Sequence, residues 1–170
     1  LHTRLATAEK EFAFPIYSPE DAVRQALEMQ GEGPVILADT QDNPGGGGSG
    51  DTTGILRAML DGGVTNAALA ILIDAAAAKA AHLAGIGAVL TLDLGGKHGP
   101  EGVVPLRADY EVCALSNGCF VGTGRVVGGR DIDLGPSAVL RVGGIDIIVS
   151  SHPMQPYDPM VFEHVGLDPA

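Results

Sequence analysis

The sequence predicts an α/β domain: a β-α-β-α-β first half with parallel strands, a second half of antiparallel hairpins, and a single mixed sheet running through both. Three observations carry this expectation. Short, almost wholly apolar runs such as "PVILAD" (34–39) and "NAALAILID" (66–74) alternate with helical runs, as in buried parallel sheets. Leu106, Ala108, Tyr110, Val112 and Ala114 then alternate with Arg107, Asp109 and Glu111, the two-residue period of a half-exposed strand. Finally, "SAVLRVGGIDIIVS" (137–150) reads as a hairpin turning at Gly143-Gly144.

Taken in order, residues 1–17 are expected to form a connecting segment and 18–170 the folded domain. "YSPEDAVRQALEMQGEG" predicts a helix: Ser18 caps, Pro19 suits the first turn, and Glu20 and Asp21 favour the positive end. Val23, Ala26, Leu27 and Gln30 mark one face, and Gly31 ends it. The 34–39 run is expected as the first strand, followed by a glycine-rich loop. "DTTGILRAMLDGG" (51–63) predicts a helix with Asp51 as its cap, Ile55, Leu56, Met59 and Leu60 as its buried stripe, and Gly62-Gly63 as its stop. A second strand (66–74), an alanine-rich helix ending at Gly85, and a third strand, "AVLTLDLGG", complete right-handed crossovers. Asn117-Gly118 is a two-residue hairpin signal. Counting outward from Gly143-Gly144 pairs Val142 with Ile145 and Leu140 with Ile147, and sets Arg141 opposite Asp146. "YDPMVFEHVGLDP" ends the chain as a short helix capped by Asp158.

Composition narrows the function classes. The chain has 170 residues, is 45% hydrophobic and only 4% aromatic, and lacks Trp, so Ala, Val, Ile and Leu must build the core. A net charge of -11 argues against nucleic acid and against anionic membrane surfaces, which both need a basic face. No apolar stretch reaches the roughly 18 residues of a membrane span, and no basic-then-apolar secretory start is visible. Beginning at Leu1 and stopping at "GLDPA", the sequence reads as a piece of a longer protein. A hairpin at Asn117-Gly118 would hold Cys113 and Cys119 roughly 10 Å apart on opposite faces, beyond the reach of a disulfide. Free thiols and a cytoplasmic location are expected.

The stretch "DTQDNPGGGGSGDTTGILRAML" (39–60) is the candidate site. Its glycine run leaves the expected carboxyl end of a strand, where open α/β sheets bind ligands. It is longer than the roughly 2–6 residues usual for such connections. It lacks the Lys of a phosphate-binding P-loop. Asp39, Asp42 and Asp51 would repel an anion and suit a cation, an amine or a peptide N–H better. The plain alternative is a surface loop whose Asp and Asn side chains make Asx-turns.

"PVILADTQDNPGGGGSGDTTGILRAMLDGGV" resembles the signature of the C-terminal domain of the microcystinase C (MlrC)-like metallopeptidases. "LGGKHGP" (94–100), "LRVGGIDIIVSS" and "MQPYDPMVFEHVGLDP" are similar to further family segments in the same order. The resemblance implies a parent protein of two domains, whose larger N-terminal domain carries the zinc ligands. No metal position therefore transfers to this chain, and neither zinc nor catalytic residues are expected in it. The segment that transfers is Asp42, Asn43, Pro44, Gly45, Gly46 and Gly47. The implied function is an accessory domain of a zinc metallopeptidase-like amide hydrolase, closing the active cleft with loop 40–51. The implied partners are the N-terminal domain and a peptide or small amide substrate. The member that names the family acts on a small linearised peptide, in microcystin degradation. The alternative is a non-catalytic small-ligand-binding or dimerisation domain.

Candidate substrate-binding residues are Asp39, Asp42, Asn43, Gly45, Gly46, Gly47, Asp51 and Lys97. Lys97, on a glycine-rich turn, has the chemistry to hold a carboxylate; the plain alternative is a solubilising surface lysine. His2, His82, His98, His152 and His164 show no His-Glu-x-x-His frame and no paired helical spacing with a carboxylate. A nucleophilic Cys113 or Cys119 with a His base has nothing in the spacing to fix it.

Overall fold

A computed structural model describes residues 4, 7–8, 16–99 and 101–168. The expected 1–17 connecting segment falls mostly outside the described residues, as does His2. The helices are α1 (Pro19–Glu28), α2 (Gly54–Asp61), α3 (Ala75–Ala84) and α4 (Met160–Glu163). The strands are β1 (Ala67–Ile73), β2 (Val89–Leu94), β3 (Leu106–Ser116), β4 (Cys119–Val121), β5 (Asp131–Asp133), β6 (Ser137–Val142) and β7 (Ile145–Ser150). Five strands form one mixed sheet in the order β1-β7-β6-β3-β2, and β4 and β5 form a separate two-stranded ribbon. The α/β class, a main mixed sheet and antiparallel pairing in the second half stand as the sequence predicts; the separate β4–β5 ribbon is an addition to it.

The parallel first half needs correction. The parallel contact in the main sheet is β1 with β7, between the two halves of the chain, and β2 pairs antiparallel with β3. β1 and β2 therefore sit at the two edges of the sheet rather than side by side. Residues 34–39 form no strand: Val35, Ile36 and Leu37 are exposed, Ile36 to 85%. A short apolar run cannot be assigned by periodicity alone, and the edge of β1 that this run would occupy is left unpaired.

The β6–β7 hairpin is the centre of the core, and its register is the expected one: Val142 pairs with Ile145, Leu140 with Ile147, and Arg141 with Asp146. The two-residue side-chain period sends Leu140, Ile145, Ile147 and Val149 to one face. There they meet α3 through Ala77, Ala78 and Ala81, whose small side chains bring the helix close, and α2 through Leu56 and Met59. Val139 and Ile148 point to the other face, against Leu134, Val161 and Val165. Each fully buried Leu or Ile contributes roughly 1.5–3 kcal/mol by area.

Local signals hold at α1, where Ser18 Oγ accepts the Asp21 N–H at 3.1 Å. The helix stops at Glu28, before the expected Gly31, and of its expected face only Val23 is buried. α4 starts at Met160, whose N–H donates to Asp158 Oδ1 at 3.0 Å. Asp158 also takes the N–H groups of Thr123 and Gly124, at 2.8 and 2.6 Å, so it ties α4 to the loop after β4. The Asn117-Gly118 hairpin does not form. β3 pairs with β2 and β6, while β4 leaves to pair with β5. Gly118, at φ +78°, lies against Gly135, where any Cβ would collide with the Gly135 carbonyl, and this contact carries the chain out of the sheet. Cys113 and Cys119 are both free.

Across the Gly143-Gly144 turn, the Arg141 guanidinium donates two parallel hydrogen bonds to Asp146, at 2.7 and 2.9 Å. Arg141 is 46% exposed and Asp146 only 16%, so the pair is partly shielded. A double-mutant cycle of Arg141→Ala and Asp146→Ala, read by thermal melts, is expected to give a coupling of about 0.5–1 kcal/mol. A coupling of zero would show that the pairing follows from the register and adds nothing to it.

Candidate functional site

Three chain segments converge on one corner of the molecule: the glycine-rich loop 39–53, the end of β1 at Ile73–Asp74, and the turn 95–99 after β2. The Gly50 carbonyl accepts the Ile73 N–H at 2.8 Å, and the Asp51 carbonyl accepts the Gly96 N–H at 2.6 Å. The three segments are thus tied by backbone before any side chain is considered.

The loop closes on itself through its own polar side chains. Asp39 Oδ1 accepts the Gln41 and Asp42 N–H groups at 2.9 and 3.2 Å, an Asx-turn. Asp42 takes the Gly50 N–H at 2.7 Å and the Ser49 hydroxyl at 3.2 Å on Oδ1, and the Thr52 N–H at 2.8 Å on Oδ2. Asn43 Oδ1 accepts from Gly45 and Gly46, at 2.9 and 3.3 Å, and caps a single 3-10 turn, Pro44–Gly46. Gly50 is required: its φ is +67°, and a Cβ there would lie 2.5 Å from Ile73 Cδ1. Burial pulls the Asp42 carboxyl up, but the donors from Thr52, Gly50 and Ser49 outweigh it and hold the carboxyl below its usual range.

Asp51 is not the cap of α2. Thr53 occupies that position. Asp51 is instead 1% exposed, and its Oδ2 accepts the Lys97 and His98 N–H groups, both at 2.7 Å. Its other oxygen, Oδ1, is buried with no hydrogen-bond partner, beside Gly99. Lys97 is neither a free cation nor a plain solubilising residue: its Nζ lies 2.6 Å from Asp74 Oδ2. Asp74 also accepts the Gly95 N–H at 3.0 Å and caps α3 by accepting the Ala77 N–H at 3.1 Å.

Asp74 was not among the residues expected from sequence. Its signal was its place between an apolar strand run and an alanine-rich helix run, where an N-cap belongs. Thr53 was missed as well. Its hydroxyl donates to the Val104 carbonyl at 2.9 Å, and Arg57 reaches the Val104 and Pro105 carbonyls at 3.1 and 2.8 Å, which fastens the segment leading into β3.

Asp39, Asp42, Gly47, Gly48, Ser49, His98 and Gly99 line a broad cleft together with residues 34–38 and the first half of β1. The structure thus gathers Asp39, Asp42, Asn43, Gly45, Gly46, Gly47, Asp51 and Lys97 in one region, with most of their polar side chains engaged in building it. Of the described histidines only His98 lies here; the others go elsewhere: His82 Nε2 to the Ser137 carbonyl at 3.0 Å, His152 towards Asp133, and His164 to the Met160 carbonyl at 3.0 Å. Burial pushes the His164 imidazole down. Among the described residues, no three His, Cys, Asp or Glu side chains gather in a geometry that fits a metal ion.

Two outcomes follow for the loop. Asp74→Ala removes a buried acceptor of three donors, one of them charged, and is expected to destabilise the chain by about 2–3 kcal/mol in denaturant unfolding; a loss under about 0.5 kcal/mol would remove it from the clamp. Asp42, with its pKa lowered by folding, binds fewer protons folded than unfolded. Its contribution is therefore complete above the ordinary carboxylate value of 3.8 and is lost as pH falls through the lowered value. Amide exchange of residues 49–52 is expected to accelerate over that acid range, and Asp42→Asn to flatten the dependence.

Comparison with known proteins places this geometry in a family. The family model described as "MlrC C-terminus" matches residues 37–170. Microcystinase C of Sphingomonas sp is 37% identical over 137 residues, which cover 81% of this chain and 26% of that protein. A solved chain from Mesorhizobium sp. BNC1, named "Putative metallopeptidase", superposes with a TM-score of 0.86 at 28% identity, covering 98% of this chain and 33% of its own length. This chain thus spans a quarter to a third of the length of these two relatives. No helix among the described residues is long and apolar enough to cross a membrane. With the family model matched continuously from residue 37 to residue 170, the chain belongs to the MlrC C-terminus family.

Proposed function

We propose that residues 18–170, joined through 1–17, act as the substrate-binding C-terminal domain of a zinc-dependent amide hydrolase of the metallopeptidase type. In this reading loop 40–51 closes the active cleft of the parent enzyme, in the cytoplasm. The observation that carries the proposal is the state of that loop: it is held in one shape by Asp39, Asp42 and Asn43, and its Gly47 and Gly48 line a cleft. A connector needs no such bracing. Two free thiols suit a reducing compartment. The names of the two relatives, a microcystinase and a metallopeptidase, support the reaction class.

The division of labour follows from chemistry. Zinc supplies an activated water in such enzymes, and the residues described here do not fit a zinc site, so the metal is assigned to the N-terminal domain of the parent. This domain's part is to bind and orient a peptide or small amide. Acceptors dominate its corner: Asp39 and Asp42 line the cleft, and carboxylates are of the type that takes an amide N–H or an ammonium. An anionic substrate group would meet Asp39 and Asp42.

The test uses the parent enzyme with an amide substrate. Asn43→Ala releases the Gly45 and Gly46 N–H groups. Gly46→Leu places a bulky side chain on the outside of the loop, where a Cβ meets nothing closer than the Asn43 side chain at 3.9 Å. Each is expected to lower kcat/KM by about tenfold or more, ~1.4 kcal/mol, with the melting temperature unchanged. Unaltered kcat/KM in both variants would reduce the loop to a connector.

A further inference from the structure

Apolar side chains are unevenly spread over the surface. Among the described residues, seven of the fourteen exposed large hydrophobics fall between Ile16 and Leu37. Tyr17, Leu27, Val35, Ile36 and Leu37 border the same cleft as Ala68 on β1. β1 is an edge of the sheet, with one side unpaired. It carries no charged side chain that would blunt that edge. The opposite edge differs: on β2 and its neighbour β3, Asp93 pairs with Arg107, and the Thr91 hydroxyl donates to Asp109. Apolar surface gathered in this way, next to an open strand edge, marks an interaction site.

The geometry points to this patch, residues 16–37 with the outer edge of β1, as the seat of the preceding part of the same polypeptide; the inference rests on the two-domain reading above. Three observations select that occupant. The matched regions are 26% and 33% of the two relatives, so most of each relative lies outside the region shared with this chain. The family model begins at residue 37, where the exposed run ends, so the patch lies at the junction with what precedes the domain in the family. Charge disfavours a second copy: the chain carries -11, and the exposed Glu28, Glu32 and Asp39 would face their own counterparts across a two-fold axis. The partner face is therefore apolar at its centre and basic at its rim, with backbone groups available to β1.

The experiment compares hydrogen exchange in the 170-residue chain and in the intact parent polypeptide. Amides of 35–38 and 67–70 are expected to exchange about tenfold or more slowly in the parent. Ile36→Asp, at an 85% exposed position, is expected to leave the melting temperature of the 170-residue chain unchanged and to restore fast exchange in the parent. Equal exchange in the two proteins overturns the inference. So does strong protection already present in the isolated chain, which means that 34–38 closes over β1 by itself. Protection that rises with the concentration of the isolated chain assigns the patch to a second copy instead. A parent that protects the patch but hydrolyses no amide sinks only the functional reading; an active parent with an unprotected patch sinks only this one.

Discussion

Two buried carboxylates, Asp51 and Asp74, hold together a part of the molecule that has almost no apolar means of doing so. The loop 39–53 and the turn 95–99 are largely glycine and polar residues, while the core proper lies behind them on the sheet. A carboxylate taken out of water is costly unless its oxygens meet donors. Here the donors are the backbone N–H groups of Gly95, Lys97, His98 and Ala77, with the Lys97 ammonium added. Neither acid tolerates the turn being elsewhere, and the turn has few other partners. The two carboxylates and the turn therefore fold as one unit, and the glycine loop is carried with them through Asp51.

How much of this was legible in sequence depended on whether a signal was local. The Gly143-Gly144 register was readable because alternation and charge pairing across a short turn leave one consistent solution. The Ser18 cap was readable for the same reason. The position of β1 was not, because its neighbour β7 is more than seventy residues away and nothing in either run names the other. The run at 34–39 has the composition of a buried strand, and that same composition serves an apolar segment on an open flank. Asn117-Gly118 carried the chemistry of a hairpin, yet the close approach of Gly135 takes the chain elsewhere. Asp51 and Asp74 were legible as cap candidates only by position. Thr53 took the first role, and the second residue acquired Lys97 as a partner that no spacing rule would supply.

The candidate loop shows the same limit in a different form. Its Asp and Asn side chains announced turns and ligand binding alike, and the structure shows them making the turns. That leaves Gly47 and Gly48, with Ser49, as the loop residues that line the cleft beside Asp39 and Asp42. In the proposed reading the ligand is a peptide or small amide, and the acidic surroundings suit one that presents N–H groups. The apolar flank at 16–37 borders the same cleft, but its chemistry differs from the loop's and suits the joining of the domain to its neighbour.

The self-braced loop has a consequence for recognition. A flexible glycine segment of this length would lose much backbone freedom on gripping a ligand, since ordering each residue costs roughly 1–2 kcal/mol. Asp42 and Asn43 move that cost into folding, so in the proposed reading a ligand would meet a rigid surface and keep more of its interaction energy as affinity. Rigidity has its own limit. A surface fixed by three short polar side chains has little room to adapt, so a change of substrate preference in this domain would need a change of loop length or of bracing residues rather than a shift of conformation.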